Sequence, residues 1–365
     1  MLGIDFPLLA FGHCRDVVAA VSRAGGFGVL GTTGHTLESL ETELAWIDAH
    51  VGGRPYGLDV LIPENLATGG AQDVTRRSLA ARVPAEHRAF VADLAARHHV
   101  TLPPEPEQDA AAPFDPNLAL AMLDVAFRHP IKLIANALGV PPRAMIAMGK
   151  ERGVPVAALV GAKEHALRQL DAGVDILVAQ GSEAGGHCGE VSTMVLIPEV
   201  VRAAQGRAAV LAAGGIMTGA QMAAAMAMGA DGVWTGSVWL ATPESECSPV
   251  FRDKMVAATS RDTVRSRSRT GKPSRQLRSA WTEAWDAPDS PGAMPMPYQS
   301  LLSEGAIRAA ERAAEGGDPA ARELVTYFVG QGVGLVDQIR PAAQVVQDFK
   351  QDFADAMERM MGLVE

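Results

Sequence analysis

The 365-residue sequence predicts an α/β protein built as a closed (β/α)8 barrel, with an insertion after strand 3 and a helical and capping region after strand 8. Eight short apolar runs alternate with Ala-rich helical stretches, which is typical of a parallel sheet with crossover helices. Turns rich in small residues follow three successive runs, at residues 180–187, 214–215 and 235–237. Their spacing indicates successive βα units that share one face of the barrel.

Each apolar run is bounded by Gly, Pro or an Ala-rich stretch, which sets the expected element boundaries. Strands are expected at 6–10, 28–30, 56–62, 131–135, 156–160, 176–180, 209–212 and 232–235. Helices are expected at 16–24, 37–49, 118–127, 143–152, 163–172, 198–204 and 219–228. The rhythm breaks over 63–116, which we interpret as an insertion with a helix at 84–98.

A second departure follows the eighth strand. Residues 241–300 are rich in Arg, Ser, Pro and Trp, and we interpret them as an excursion that could cap the open face. Residues 301–365 have a helical composition, and one of these helices is expected to close the barrel. The predicted organisation is therefore a barrel core at 1–240, a capping excursion at 241–300 and C-terminal helices at 301–365.

Composition restricts the class of partner. The net charge is −10, which argues against a nucleic acid or an anionic membrane as the main partner, although residues 261–278 form a local basic cluster. The three cysteines form no C-x-x-C pair, and no His, Cys and Asp grouping has metal-ligand spacing, so no structural metal is predicted. With no leader-like start and no apolar stretch of about 18 residues, a cytoplasmic protein is expected.

The turns after the seventh and eighth strands are a candidate phosphate site. They contain Ala213, Gly214 and Gly215 in one turn, and Gly236 and Ser237 in the other. Glycines let the backbone approach an anion, and unpaired amides at a helix start point toward it. The alternative is that the glycines only make tight βα turns. A Rossmann site is disfavoured because no G-x-G-x-x-G motif is followed by an acidic residue at the required distance.

His187 is a candidate proton carrier. It ends the Gly-rich turn after the sixth strand, where its imidazole would lie on the active face of a barrel. The alternative is a structural histidine that binds a carbonyl and holds the loop. The residue type and position alone do not decide between these two interpretations.

The motifs at 24–31, 180–187, 212–216 and 229–237 resemble the nitronate monooxygenase family. The resemblance implies an FMN-dependent TIM barrel in which His187 takes the α-proton of a nitroalkane, and flavin and O2 complete oxidation to a carbonyl compound and nitrite or nitrate. The FMN phosphate would lie on the two glycine turns and the ring near the first strand and the 181–182 backbone. The residues expected to bind FMN are Ala10, Phe11, Gly12, Asp59, Gln180, Gly181, Ser182, Gly185, Ala213, Gly214, Gly215, Gly236 and Ser237.

The sequence departs from the family pattern at Asp59, where members commonly have asparagine. An ionised carboxylate near flavin accepts hydrogen bonds but cannot donate them, so the usual tuning of the flavin is in doubt. The first loop, around His13 and Cys14, and the long 63–116 insertion are also unusual, which indicates a different or bulkier substrate.

Two other functions remain open. The family's motifs are shared by NAD(P)H-dependent flavin reductases that act on a quinone or an enoyl thioester. A non-catalytic phosphate-binding protein with a decayed barrel is the third hypothesis. The expected partners are a small-molecule substrate and O2, and a homodimer is compatible with the sequence, which does not determine the oligomeric state.

Overall fold

The computed structural model describes residues 1–62, 76–104 and 116–363 of the chain. The strands are β1 (Leu8–Gly12), β2 (Phe27–Gly31), β3 (Tyr56–Asp59), β4 (Ile134–Asn136), β5 (Val156–Val160), β6 (Ile176–Gln180), β7 (Gly186–His187), β8 (Ala209–Ala213), β9 (Gly232–Thr235), β10 (Thr263–Ser266) and β11 (Ser274–Leu277). The helices are α1 (Arg15–Arg23), α2 (Leu37–His50), α3 (Arg76–Ala80), α4 (Ala85–Arg97), α5 (Pro116–Ala126), α6 (Arg143–Arg152), α7 (Lys163–Ala172), α8 (Thr193–Ala204), α9 (Gly219–Ala227), α10 (Ser237–Leu240), α11 (Pro249–Ala257), α12 (Ala280–Asp286), α13 (Tyr298–Glu315), α14 (Pro319–Leu324) and α15 (Ala342–Met361).

Eight strands form a closed parallel barrel. The order is β1 to β6, then β8 and β9, and pairing of β9 with β1 closes the ring. Inward-facing side chains such as Phe27, Val178 and Trp234 fill its interior, and alternate residues pack outward against the helices. The predicted eight-stranded barrel is confirmed.

Local sequence signals set the helix ends. Helices α6 and α7 end at Gly153 and Gly173, whose φ angles of +66° and +89° suit glycine. Helix α8 begins at Thr193, before the predicted start at residue 198, because Pro198 lies inside the helix rather than at its beginning. Strand β1 ends at Gly12, so the end of the first strand lies later than predicted.

The excursion after β9 is tied to the barrel through a second sheet. Strands β10, β11 and β7 form a three-stranded antiparallel sheet, in which Ser274 pairs with His187 and Arg275 with Gly186. The sequence predicts a Gly-rich loop after the sixth strand that ends at His187. That interpretation is wrong for Gly186 and His187, whose strand conformation depends on a partner far away in the sequence.

The remaining segments complete the outer layer. Helix α15 packs between α9 and α1, the position in the helix ring that follows β9. A Cβ at Gly219 would lie 1.9 Å from the Phe349 carbonyl oxygen, so glycine allows this close approach. The predicted insertion helix is confirmed as α4, which packs on α13 with α3. Residues 63–75 and 105–115 of the insertion lie outside the described residues, and the three-part division of the chain stays a prediction.

Candidate active site

The carboxyl end of the barrel carries most of the residues selected from the sequence. Side chains of Phe11 and Ala213 belong to the inner barrel core. Asp59 pairs in register with Ala135, and Gln180 with Ala213, so both also lie on the inner face. The side chain of Ala10 instead packs in the outer core, which leaves only its backbone for a ligand. Four inner positions from four strands therefore surround the barrel mouth.

Asp59 is the unusual polar group at this mouth. Its side chain is 4% exposed, and Oδ1 has no hydrogen-bond partner among the described residues. Burial raises the pKa of Asp59 to about 7. A carboxyl group with this pKa keeps its proton below about pH 7 and is about half protonated at pH 7. In the protonated state it can donate a hydrogen bond, as an asparagine amide does.

The two glycine turns, Gly214–Gly215 and Gly236–Ser237, are suited to an anion. Gly214 and Gly215 have φ angles of +107° and +71°, which require glycine in practice. The amides of Gly215, Gly236 and Ser237 donate to no described acceptor, and a Cβ at Gly236 would meet open space. Ser237 Oγ accepts from the Gly330 amide at 2.8 Å, which leaves its own proton free to donate. These groups fit a phosphate.

Other predicted glycines have structural reasons to lack a side chain. A Cβ at Gly181 would lie 2.1 Å from Thr193 Oγ1, and one at Gly185 would lie 2.8 Å from the Gly330 nitrogen. Gly12 is different, because a Cβ there would make ordinary contact with Val17 at 3.7 Å. The requirement for glycine at 181 and 185 therefore follows from backbone packing, whatever their amides bind.

The backbone of Ser182 is fixed from both sides. Its amide donates to the Val191 carbonyl at 2.8 Å, and its carbonyl accepts from Arg275 Nε at 3.0 Å. The neighbouring Glu183 carboxylate accepts from the Thr193 amide and hydroxyl, at 2.9 and 2.8 Å. Glu183 therefore caps the start of α8 and does not contact His187.

His187 lies at the edge of the second sheet, with its ring half-buried. Its Nε2 is 2.8 Å from Thr270 Oγ1, and its ring centroid is 6.2 Å from that of Phe328. Burial, followed by the nearby Lys272 charge, lowers the pKa of His187 to about 4. The imidazole is therefore neutral at physiological pH and has one lone pair available as a base.

A cavity of about 370 Å³ opens beside His187; we call it the His187 cavity. Gln180 and His187 line it, whereas the glycine turns lie at the same end of the barrel outside its lining. Its lining contains several basic side chains and no described carboxylate, although the chain as a whole carries a net charge of −10. The basic residues are His165, Arg168, Arg265 and Lys272.

Few of these basic groups are neutralised. The Arg168 and Lys272 side chains form no ion pair with a described carboxylate. Arg265 reaches only the exposed Glu190 at 3.9 Å, and its buried Nε has no described partner. The Oε1 of Gln169, another lining residue, is also buried without a described partner. The cavity thus offers positive charge and unused hydrogen-bonding groups to a ligand.

Sequence analysis identified the basic cluster at 261–278 but gave it no role. The structure places Arg265 and Lys272 from this cluster beside His187. Thr270, which bonds directly to His187, was not identified, because a lone threonine in an irregular segment carries no sequence signal. The described part of the chain contains no group of three or more His, Cys, Asp or Glu side chains arranged to hold a metal. No helix within the same ranges is long and apolar enough to cross a membrane.

Comparisons with known proteins identify the family and the fold of the chain. The model of the nitronate monooxygenase family matches residues 12–352. A candidate monooxygenase of Mycobacterium tuberculosis is 51% identical, covering 100% of this chain and 98% of its own. The solved nitroalkane oxidase of Streptomyces ansochromogenes is 26% identical with a TM-score of 0.80, covering 98% of each chain. FabK of Thermotoga maritima is 26% identical with a TM-score of 0.70, covering 99% of this chain and 97% of its own.

The match extends over almost the whole chain and includes both the glycine turns and His187. The protein is therefore an oxidoreductase with a TIM-barrel fold. It belongs to the nitronate monooxygenase family.

Proposed function

We propose that the chain is an FMN-dependent enzyme that oxidises alkyl nitronates, and nitroalkanes after deprotonation, with O2 to a carbonyl compound and nitrite or nitrate. The observation that carries the proposal is the position of His187, a neutral, half-buried imidazole that lines a cation-rich cavity. A nitroalkane becomes an anion when it loses its α-proton. A site with a base and surrounding positive charge suits both the reaction and its product.

The residues at the barrel mouth fit FMN. Amides of Gly214, Gly215, Gly236 and Ser237 would hold the phosphate, since they are unpaired in the described structure and lie at two strand ends. The ring would contact the inner-face side chains and the neighbouring backbone. Those residues are Ala10, Phe11, Gly12, Asp59, Gln180, Gly181, Ser182, Gly185 and Ala213. When bound, FMN supplies the electron acceptor for the oxidation.

His187 performs the proton transfer in this proposal. Its lone pair takes the α-proton, the C–H bonding electrons move into the nitro group, and the products are an imidazolium and a nitronate. Both charges arise together, so their mutual attraction offsets the desolvation that lowers the pKa of His187 in the free site. Arg168 and Lys272 would hold the nitronate oxygens as negative charge develops on them.

Anaerobic reduction tests this function. The purified, FMN-saturated protein is mixed with propyl nitronate in one experiment and with NADH in another, and the visible flavin absorbance is followed. Loss of absorbance with nitronate alone supports the proposal. Loss with NADH and none with nitronate would contradict it.

The second candidate is an NAD(P)H-dependent flavin reductase that acts on a quinone or an enoyl thioester. The observation in its favour is the similarity to FabK over nearly the whole chain. The positive lining of the His187 cavity would also hold a phosphate on a thioester carrier. The same anaerobic experiment separates the two candidates, because only the reductase is expected to react with NADH.

A further inference from the structure

We propose that Thr270 is a positioning residue, which fixes the tautomer of His187 so that Nδ1 carries the lone pair used as the base. The proposal rests on the proposed role of His187. Thr270 Oγ1 lies 2.8 Å from His187 Nε2, and Thr270 is buried. The other ring nitrogen, Nδ1, bonds to no described residue, and the ring lines the cavity.

Counting protons selects one tautomer. Thr270 Oγ1 also lies 3.3 Å from the Lys272 carbonyl oxygen and 3.3 Å from the Lys272 amide. If Nε2–H donates to Oγ1, the hydroxyl proton goes to the Lys272 carbonyl and the Lys272 amide also donates to Oγ1. Every group then has a partner. If the hydroxyl donated to Nε2 instead, it would no longer serve the Lys272 carbonyl, which makes this arrangement less favourable.

The turn at residues 267–272 is held firmly in the position that presents Thr270. Gln299 Nε2 and Trp281 Nε1 donate to the Ser268 carbonyl at 2.7 and 3.2 Å, and Ser303 Oγ donates to the Arg269 carbonyl at 2.6 Å. The donor residues are all buried. Buried donors that converge on consecutive carbonyls make this turn rigid, so the Thr270 hydroxyl has a defined place.

Further contacts fix both ends of the turn. Arg267 Nε donates to the Gly271 carbonyl at 2.8 Å, and the Arg269 guanidinium stacks over Phe328 at 4.6 Å. Phe328 in turn faces the His187 ring. A Cβ at Gly271 would lie 2.0 Å from the Met294 carbonyl oxygen, so the turn packs closely on the segment before α13.

Burial, followed by the nearby Lys272 charge, lowers the pKa of His187 and keeps the ring neutral, so its tautomer is a well-defined property over the neutral range. The basic groups repel an imidazolium, and burial raises the pKa of the Cys188 thiol and keeps it uncharged. Glu190, which pairs weakly with Arg265, is exposed. The titratable groups that surround the ring are Lys272 on the turn, Arg265 on β10, Arg275 on β11, His165 and Arg168 on α7, and Cys188.

The test combines Thr270→Val with Thr270→Ser in the FMN-saturated protein. Valine keeps the shape and removes the hydroxyl, whereas serine restores it. With 15N-labelled histidine, the His187 signals at pH 7 should show a protonated Nε2 and an unprotonated Nδ1 in the native protein and in Thr270→Ser. In Thr270→Val they should move toward an average of both tautomers. His187→Asn identifies the signals.

Kinetics provide the second readout. Thr270→Val should lower kcat for a neutral nitroalkane about tenfold and leave kcat for preformed nitronate within about twofold, since only proton removal needs the base. Thr242→Val is the matched control, because Thr242 is also buried and its hydroxyl donates to the Trp239 carbonyl at 2.8 Å. It should change neither readout. If Thr270→Val does not fold, Thr270→Ala takes its place.

Two results would overturn the proposal. In the first, Thr270→Val leaves both the His187 tautomer and kcat for the nitroalkane unchanged. In the second, Thr270→Ser and Thr270→Val lower kcat for the nitroalkane and Tm by equal amounts, which would mean that Thr270 has a purely structural role. The 15N measurement needs no turnover. A protein that does not oxidise nitroalkanes would therefore refute the proposed function and still report whether Thr270 sets the tautomer.

Discussion

Replacement of Asp59 by asparagine should make the protein more stable, and increasingly so as pH rises. The carboxyl is buried at the barrel mouth with Oδ1 unpartnered, and its pKa rises from 3.8 to about 7. Below about pH 4 the group is protonated in both folded and unfolded chains. Between about pH 4 and pH 7 the unfolded chain releases this proton and the folded chain keeps it, so the free energy of unfolding falls with rising pH.

The expected size follows from that interval. The pKa of Asp59 rises by about three units, and each unit corresponds to about 1.4 kcal/mol, so the native protein loses about 4 kcal/mol of unfolding free energy by pH 8. Asparagine has nearly the same shape and no charge to desolvate. The free energy of unfolding of Asp59→Asn, relative to the native protein, should therefore increase by about 4 kcal/mol between pH 4 and pH 8.

Urea denaturation of the FMN-free proteins at several pH values measures this difference. Asp289→Asn is the control, because Asp289 is exposed and its removal should give a nearly constant difference. A constant difference for Asp59→Asn would refute the reasoning. It would mean that Asp59 finds a compensating partner in solution and is ionised in the folded protein.

Three further perturbations test other parts of the site. His187→Asn should retain FMN and leave added nitronate reactive, but slow turnover of a neutral nitroalkane by about 10²–10⁴-fold. In the native protein, nitroalkane turnover should fall only as pH drops toward about 4, where the His187 base becomes protonated. Equal nitroalkane kcat in the variant would exclude the base. Gly215→Val should weaken FMN binding about tenfold, because a φ of +71° costs a branched residue about 1–2 kcal/mol and the strain displaces the neighbouring amides. Gly206→Val is the control, since Gly206 has a similar φ of +73° with open space around it. Unchanged FMN affinity of Gly215→Val in a fluorescence titration would count against the phosphate site. Arg168→Gln should raise KM for nitronate about fivefold, equivalent to about 1 kcal/mol, because Arg168 lines the cavity. Arg202→Gln, at an exposed position, is the control and should leave KM unchanged. Equal KM values for Arg168→Gln and the native protein would show that Arg168 does not bind the substrate.

The barrel could be predicted because each strand is a short apolar run buried on both faces. The runs at 156–160 and 176–180 coincide with β5 and β6 to the residue. The helix expected at 163–172 also ends where expected, because the left-handed φ of Gly173 is a local requirement with a local sequence signal. Such features depend on neighbouring residues only.

The second sheet and the environment of His187 could not be predicted in this way. Strand β7 has two residues, and its conformation depends on β11, which the sequence places beyond the eighth barrel strand. Thr270 reaches His187 only because a turn between β10 and β11 is held by side chains from α12 and α13. Pairings over such distances leave no periodic pattern that a single sequence can reveal.

The structure separates the two halves of the proposed chemistry along the chain. The groups that would hold the phosphate belong to turns within the barrel, whereas the groups that orient and surround His187 come mainly from residues 263–275. The backbone of His187 joins these halves, because it follows β6 of the barrel and pairs with β11 of the second sheet. Substitutions in residues 263–275 can therefore change the base and the substrate-binding charges while the phosphate turns stay intact. A barrel of this kind can thus keep its phosphate turns while its reaction is altered through residues 263–275 alone.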